Sequence, residues 1–406
     1  MNKKNIAVLF GSRSCEHEIS IITAIQFMEN MDTEKYNIVP VYITPEGEWY
    51  TGEVLMKYNT YKFFNENKPK LKNVILSANP KIKGLIVLKT GLFSKQEIIE
   101  IDIAVLSMHG MNGEDGTLQG LFELANIPYV SSGVLGSAIG MDKIAMKAVF
   151  KGNDLPILKY EWFLRNEWYD NKEEIIKKIE SSLKYPMFVK PANLGSSIGI
   201  TKAKNKEGLI NGIEIAINYD KRIIVEEGIE NLIEINCSGL GYDKYVEASV
   251  CEQPISWEEF LSFDDKYLHG INKSQSKEPS SMESMDRQIP ANIPDILSEE
   301  IQDLTVKVFK ALSCSGVARV DYLIDKNTMK PYVNEINTIP GCFSFYLWEY
   351  NNKLPYPKLI DKLLDIAIKV NEEKNKNNYS YQSKIIGNLG KGGKLGGCKT
   401  VNKQSK

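Results

Sequence analysis

The chain has 406 residues, with 50 Lys and Arg against 52 Asp and Glu, giving a formal net charge of −2. That near-balance argues against a nucleic-acid or polyanion binder, whose affinity would rest on a basic surface. Hydrophobic residues make up 43% and aromatics 10%, a globular composition in a chain long enough for two or three domains, and no run approaches the ~20 apolar residues that would span a bilayer.

The first stretch, "MNKKNIAVLFGS", starts basic and is apolar only over Ile6–Phe10, too short for an export signal and suited to a buried first strand. "NIVPVYIT" and "IDIAVLSMHG" repeat that unbroken apolar texture, and "EHEISIITAIQFMENM" between them has helical spacing. This βαβ pattern predicts a parallel sheet with helices on its faces. "HGMNGEDGTLQGLFELANIPYVSSG" then gives a glycine-rich loop, a helix from about Thr117 and a further strand.

From about Met141 the texture changes. "MDKIAMKAVF" and "NKEEIIKKIESSL" read as amphipathic helices, the second with Glu and Lys at i,i+4 spacing. "YPMFVKP" and "GITKAK" read as strands flanking a Gly/Ser loop. "RIIVEEGI", "LIEINCSGLG", "YVEASVCE", "GVARVDYLID" and "PYVNEINTIPG" follow as strands joined by hairpin-like turns, which predicts a second, largely antiparallel sheet. A helix capped by Ser298 and a last helix over about Pro357–Val370 complete the set. Residues 268–288 read as a long mobile loop and 371–406 as a disordered basic tail. The expected class is α/β with an α+β C-terminal half, divided at 1–140, 141–235, 236–370 and 371–406. The six scattered cysteines, without a CxxC pair, are expected to be reduced thiols in a cytoplasm. His17, His109 and His269 form no ligand cluster, so zinc is not expected.

Four stretches carry candidate chemistry. Arg319 and Asp321 alternate on one strand, Glu335 and Asn337 on the next, so each pair shares a face. Paired strands would bring three oxygen donors and a guanidinium together, a hard-ligand set that suits Mg²⁺ or Mn²⁺ with phosphate. For one strand alone, a solvated polar face is the better reading; for two, followed by the turn-forming "TIPG", the metal reading is preferred. Lys190 ends an apolar strand before Gly195, Ser196, Ser197 and Gly199, which let the backbone approach a ligand closely. This is either a hairpin turn or, beside a carboxylate set, a nucleotide loop, though not one of the GK[ST] type. Glu226 and Glu227 end a strand where an adenine-contacting hinge could follow. "GSRSCEHEIS" lacks the G-x-G-x-x-G pattern and carries Glu16 and Glu18, which suit a cationic ligand such as an amino-acid ammonium. Helix capping by Ser14 or Glu16 is the alternative.

In combination, "VLFGSRSCEHEIS", "HGMNGEDGTLQG", "MDK", "VKPANLGSSIGI", "DDKY", "ARVDYL" and "NEINTIPG" resemble the D-alanine–D-alanine ligases of the ATP-grasp superfamily over roughly residues 5–370. The resemblance implies an ATP-grasp fold with an N-terminal Rossmann-like domain. It implies ATP and two Mg²⁺ or Mn²⁺ ions as cofactors, D-alanine as substrate, a cytoplasmic homodimer, and peptidoglycan precursor synthesis. By that resemblance Glu16 holds the first ammonium, with Ser196 and Tyr267 as its partners and His109 nearby. Lys143, Lys190 and Lys266 serve the phosphates, and Glu226 and Glu234 the adenine and ribose, with Glu227 kept beside them as a cofactor-binding candidate from the strand end. Asp321, Glu335 and Asn337 hold metal, and Arg319 with the Gly341 N–H stabilises a tetrahedral oxyanion. The implied reaction passes through a D-alanyl phosphate, with the Gly/Ser flap and the 263–288 loop excluding water.

One departure stands out. Where the family commonly has a small hydroxyl pattern after "PG", this chain reads "CFSFYLWE", placing Phe345 and Tyr346 at the expected contact to the second substrate's carboxylate. A D-Ala–D-Ser or D-Ala–D-lactate ligase, another ATP-grasp carboxylate–amine ligase, and a silent nucleotide-binding regulator are the rival readings.

Overall fold

A computed structural model describes residues 3–88, 95–195, 197–255, 287–350 and 353–379. Ser196, Lys266 and Tyr267 lie outside the described residues, as do residues 268–286 of the expected loop and 380–406 of the expected tail. Residues Met1–Asn371 form one compact unit and Glu372–Lys406 a second.

Eight strands build the first sheet: β1 (Lys4–Gly11), β2 (Tyr36–Ile43), β3 (Trp49–Thr51), β4 (Lys72–Leu76), β5 (Gly84–Val87), β6 (Ile98–Glu100), β7 (Ile103–Leu106) and β8 (Tyr129–Val130), in the order β6-β5-β4-β3-β2-β1-β7-β8. Ile6–Phe10 are fully buried because β1 is central and covered on both faces, which is why its sequence is apolar without alternation. The expected parallel pairing describes β2, β1, β7 and β8. It fails for β3 to β6, which pair antiparallel. The turn between β2 and β3, closed by Thr44 N–H donating to Glu48 O, is far too short for the crossover of roughly a dozen residues that parallel strands need.

The expected single antiparallel sheet is two sheets. The first has four strands, β9 (Tyr160–Leu164), β10 (Met187–Pro191), β11 (Thr201–Ala203) and β12 (Arg222–Glu227), in the order β11-β10-β12-β9. Met187, Val189, Ile223 and Val225 pack under the helices Lys172–Ser182 and Lys206–Ala216. Period-two alternation therefore turns Lys190, Ile224 and Glu226 to the other face.

The second has five strands, β13 (Leu232–Tyr242), β14 (Tyr245–Pro254), β15 (Arg287–Gln288), β16 (Ser315–Asp325) and β17 (Lys330–Asn337), in the order β15-β14-β13-β16-β17. Ile235, Cys237, Val320 and Tyr322 face the helix Asp295–Ala311. The opposite face carries polar residues in register: Glu252, Asn236, Asp321 and Glu335 in one row, Ser238, Arg319 and Asn337 in the next. β13 runs through the boundary expected at residue 235, and Arg287–Gln288 are strand rather than loop.

Two helix ends differ from the sequence reading. The helix expected to be capped by Ser298 starts at Asp295 behind Pro294, whose carbonyl accepts from the Ser298 N–H, so Ser298 lies inside it. The last helix spans Tyr356–Lys374, extending past Val370 into the expected tail. Its Leu359, Ile360 and Leu363 join the core under the first sheet, with Ile6, Phe27 and Phe343. Among the described residues no helix is long and apolar enough to cross a membrane.

Candidate active site

Arg319 and Asp321 stand two residues apart on β16 and share its polar face. The guanidinium grips the carboxylate at two points, Nε to Oδ1 at 2.7 Å and Nη2 to Oδ2 at 2.9 Å. Burial alone would lower the Arg319 pKa; the Asp321 charge outweighs it and keeps Arg319 protonated. From β17, Asn337 lies opposite Arg319 and Glu335 opposite Asp321. Asn337 Nδ2 donates to Asp321 Oδ2 at 3.1 Å. The four residues singled out on two strands therefore meet on one patch of sheet. Among the described residues no group of three or more His, Cys, Asp or Glu forms a metal site. Asp321, Glu335 and Asn337 offer two carboxylates and an amide oxygen, the donor chemistry of a hard divalent cation.

The lysines come from the other side. Asp142 caps the helix Lys143–Gly152, its Oδ1 accepting from the Ile144 and Ala145 N–H groups at 3.0 and 2.8 Å, and it pairs with Arg222. This cap fixes Lys143, whose Nζ donates to Leu194 O at 2.7 Å and stands 3.5 Å from Glu335 Oε2. Lys143 thus spans from the Gly/Ser loop to the five-stranded sheet. Lys190 Nζ donates to Glu226 Oε2 at 2.6 Å, and Lys147 Nζ lies 3.1 Å from Glu226 Oε1. Burial pushes the Glu226 pKa up, but the two lysine charges outweigh it and hold the carboxyl down at about 2. Alternation turns Glu227 away from Glu226, so only one of that pair joins the lysines. Glu234 shares the polar face of β13 with Asn236.

Glu16 precedes the helix His17–Glu29 but its side chain makes no capping bond there, nor does Ser14 cap the helix; Ser14 Oγ accepts from the Glu16 N–H. The Glu16 carboxylate instead lines a cavity of about 310 Å³ with Arg13, Gly110, Met141, Leu194 and Gly195. Gly110, at φ +73°, is required here: a Cβ would sit 2.7 Å from Glu16 Oε2. His109, beside it, is 4% exposed, with Nε2 2.9 Å from Thr23 Oγ1. Thr23 Oγ1 also accepts from the Cys342 N–H at 3.4 Å. Burial lowers the His109 pKa to about 4, with the Arg319 charge acting the same way.

Glu114 ties this cavity to the Arg319 face. It accepts from Gly110 N–H at 2.9 Å and from Ile339 N–H at 3.0 Å, in the turn after β17. Burial and the Glu16 carboxylate push its pKa up to about 8 against those two bonds. Past Ile339 comes Gly341, then Cys342, Phe343 and Ser344 with φ of 50°, 54° and 49°. Phe343 packs on Phe27 at 4.9 Å, holding this left-handed run in place.

The departure after "PG" resolves into two roles. Phe345 stacks on Tyr356 at 4.4 Å, within the core. The Tyr346 hydroxyl donates to Glu252 Oε1 at 2.9 Å, and the Arg287 guanidinium lies over its ring at 4.1 Å. Glu252 also accepts from Asn236 Nδ2 at 3.0 Å and Arg287 Nη1 at 3.2 Å. The hydroxyl expected to face a substrate carboxylate is thus engaged by a protein carboxylate.

Lys147, Glu114, Glu252 and Thr23 escaped the sequence reading. Lys147 carried a signal: it follows Lys143 by four residues on an apolar helix, a like-charge pair that calls for an anion. The others depend on register or loop path, which no local pattern encodes.

Two antiparallel sheets presenting lysines from one side and a carboxylate–guanidinium patch from the other, beside a sheet with a parallel half, form an ATP-grasp fold. Residues 5–132 match the family model for the D-ala D-ala ligase N-terminus, and residues 149–365 that for the D-ala D-ala ligase C-terminus. The D-alanine–D-alanine ligase of Caldicellulosiruptor bescii is 41% identical over 388 residues, covering 94% of this chain and 100% of that one. That of Acetivibrio thermocellus is 40% identical over 384 residues, covering 90% and 96%. Among solved structures, the VanG D-Ala:D-Ser ligase from Enterococcus faecalis superposes with a TM-score of 0.76 at 33% identity, covering 90% of this chain and 100% of that one. The D-alanine–D-alanine ligase from Coxiella burnetii gives 0.76 at 28% identity, covering 93% and 97%. The chain belongs to the D-alanine–D-alanine ligase family.

Proposed function

We propose that the chain joins two D-alanines into D-alanyl-D-alanine, converting ATP to ADP and phosphate, for peptidoglycan precursor synthesis in the cytoplasm. The observation that carries the reading is the meeting of Arg319, Asp321, Glu335 and Asn337 on one patch, with Lys143 beside Glu335 and the Glu16 cavity tied to the patch through Glu114. The partition at 1–140, 141–235 and 236–370 follows as first-substrate, nucleotide-covering and nucleotide-plus-metal parts, with β13 crossing the second boundary. A homodimer is the proposed assembly.

In this reading the Glu16 carboxylate holds the ammonium of the first D-alanine in the 310 Å³ cavity. A neutral, buried His109 flanks it without adding a competing positive charge. Lys143 and Lys190 hold the phosphates, while Glu226 and Glu234 serve the adenine and ribose end. Asp321, Glu335 and Asn337 would hold Mg²⁺ or Mn²⁺. Such ions supply charge neutralisation at the transferring phosphoryl group. The first carboxylate becomes an acyl phosphate, and the second substrate's amine displaces phosphate from it. Arg319 and the Gly341 N–H stabilise the oxyanion in that step, typically the largest electrostatic contribution to such catalysis. Ser196, Lys266 and Tyr267, as flap and loop residues, would close the site.

One observation favours a second reading, a D-Ala–D-Ser or D-Ala–D-lactate ligase. Tyr346 is held by Glu252 and Arg287, so the second substrate meets a different wall from the small hydroxyl pattern common in the family. The test of both is phosphate release from ATP and Mg²⁺ with D-alanine alone and with D-alanine plus D-serine or D-lactate, products being identified by mass. D-Ala–D-Ala from D-alanine alone supports the first reading and D-Ala–D-Ser or D-Ala–D-lactate as the main product the second. No phosphate release with any of these acceptors overturns both.

A further inference from the structure

Lys147 has no part in the roles above, yet it is among the largest fully buried side chains of the molecule. It lies one turn beyond Lys143 on the helix Lys143–Gly152, and the two amines part company. Lys143 reaches to the Gly/Ser loop and Glu335, whereas Lys147, 1% exposed, has Glu226 as its ion-pair partner. Glu226 is itself 2% exposed and divides its oxygens, Oε1 towards Lys147 at 3.1 Å and Oε2 to Lys190 at 2.6 Å.

One carboxylate needs one cation. Two amines around Glu226 leave one surplus: burial and the Lys190 charge lower the Lys147 pKa, the Glu226 and Glu335 carboxylates raise it, and a buried charge without compensation is expensive. The surplus is asymmetric. Lys190 stands at the end of β10, where the Gly/Ser loop begins, and can turn to a ligand there. Lys147 projects from a capped helix into the interior and has no such exit. If Lys190 alone neutralised Glu226, moving it to a phosphate would leave a buried anion behind.

We propose that Lys147 is a positioning residue, the permanent counter-ion of Glu226, whose presence lets Lys190 move from Glu226 to an incoming polyphosphate. The inference rests on the nucleotide-site reading above. In the wild-type protein the Lys147–Glu226 pair stays fixed while Lys190 changes partner. Without Lys147, Glu226 retains Lys190 and the polyphosphate loses a ligand.

The test is calorimetric titration of the full-length protein with inorganic tripolyphosphate and, separately, ATP. Tripolyphosphate reads the lysines without the adenine contacts. K147M should weaken tripolyphosphate binding about tenfold or more, and K147M/E226Q should recover to within about threefold of wild type, because the neutral amide no longer holds Lys190. In turnover, KM for ATP should rise in K147M while KM for D-alanine stays unchanged, a split that general loosening of the fold would not give. Wild-type affinity in K147M, or a double variant no better than K147M, overturns the inference. Should K147M not fold, E226Q decides: tighter tripolyphosphate binding supports the inference, and unchanged or weaker binding overturns it. Failure of the wild-type protein to bind either probe would overturn the nucleotide reading and this inference with it.

Discussion

Arg319 is held at two points by Asp321, so its charge is aimed before any ligand arrives. On the proposed roles, its removal should leave the lysines assigned to phosphate in place and take away the proposed oxyanion partner. R319A is expected to lower ligation at least about 10²-fold while ATP affinity stays within about threefold, read by phosphate release and calorimetry. His109 makes a prediction about pH. Its folded pKa, about 4, lies below the ordinary 6.5, so between those values the unfolded chain binds the extra proton. The stability that neutral His109 contributes is therefore present above pH 6.5 and is lost as pH falls towards 4, by about 3 kcal/mol in all. Urea titrations of wild type and H109Q should diverge in that window, with the variant lacking this share of the slope.

The helix Lys143–Gly152 sets both Lys143 and Lys147, and its start depends on Asp142. D142A removes two capping bonds and the Arg222 partner, so unfolding free energy should drop by about 1–2 kcal/mol, with a raised KM for ATP. Chemical denaturation and ATP-saturation kinetics check the two effects. Elements of this kind were largely legible in the sequence: continuous apolar runs marked β1, β2 and β7, and alternation marked β16 and β17 with the face carrying Arg319 and Asp321. β3 to β6 escaped because strands of three to five residues lack enough periods to declare themselves. Glu252 escaped because alternation gives a face but not a partner. Only the β14–β13–β16 register brings it level with Asn236 and Asp321. The start at Asp295 was misplaced because Ser298 followed by acidic residues imitates a cap, while Pro294 opens the helix earlier.

At the scale of the molecule, a helix near the end of the described chain completes the core of its first sheet. Leu363 is fully buried there, and L363A should cost about 2–5 kcal/mol. Loss should appear in thermal unfolding as a lower Tm for the N-terminal sheet, although the substitution lies far along the chain from its strands. Long-range closure of this sort has no local signature, which is why the C-terminal helix was recognised as a helix but not as part of the first core. The left-handed path through Cys342, Phe343 and Ser344 carries a consequence of its own. Each non-glycine residue there is held uphill by about 1–2 kcal/mol, against the packing of Phe343 on Phe27. The backbone that offers the Gly341 amide is thus kept wound by an aromatic contact one layer below it. Trimming that ring would remove the contact that opposes this strain and free the Gly341 amide to shift.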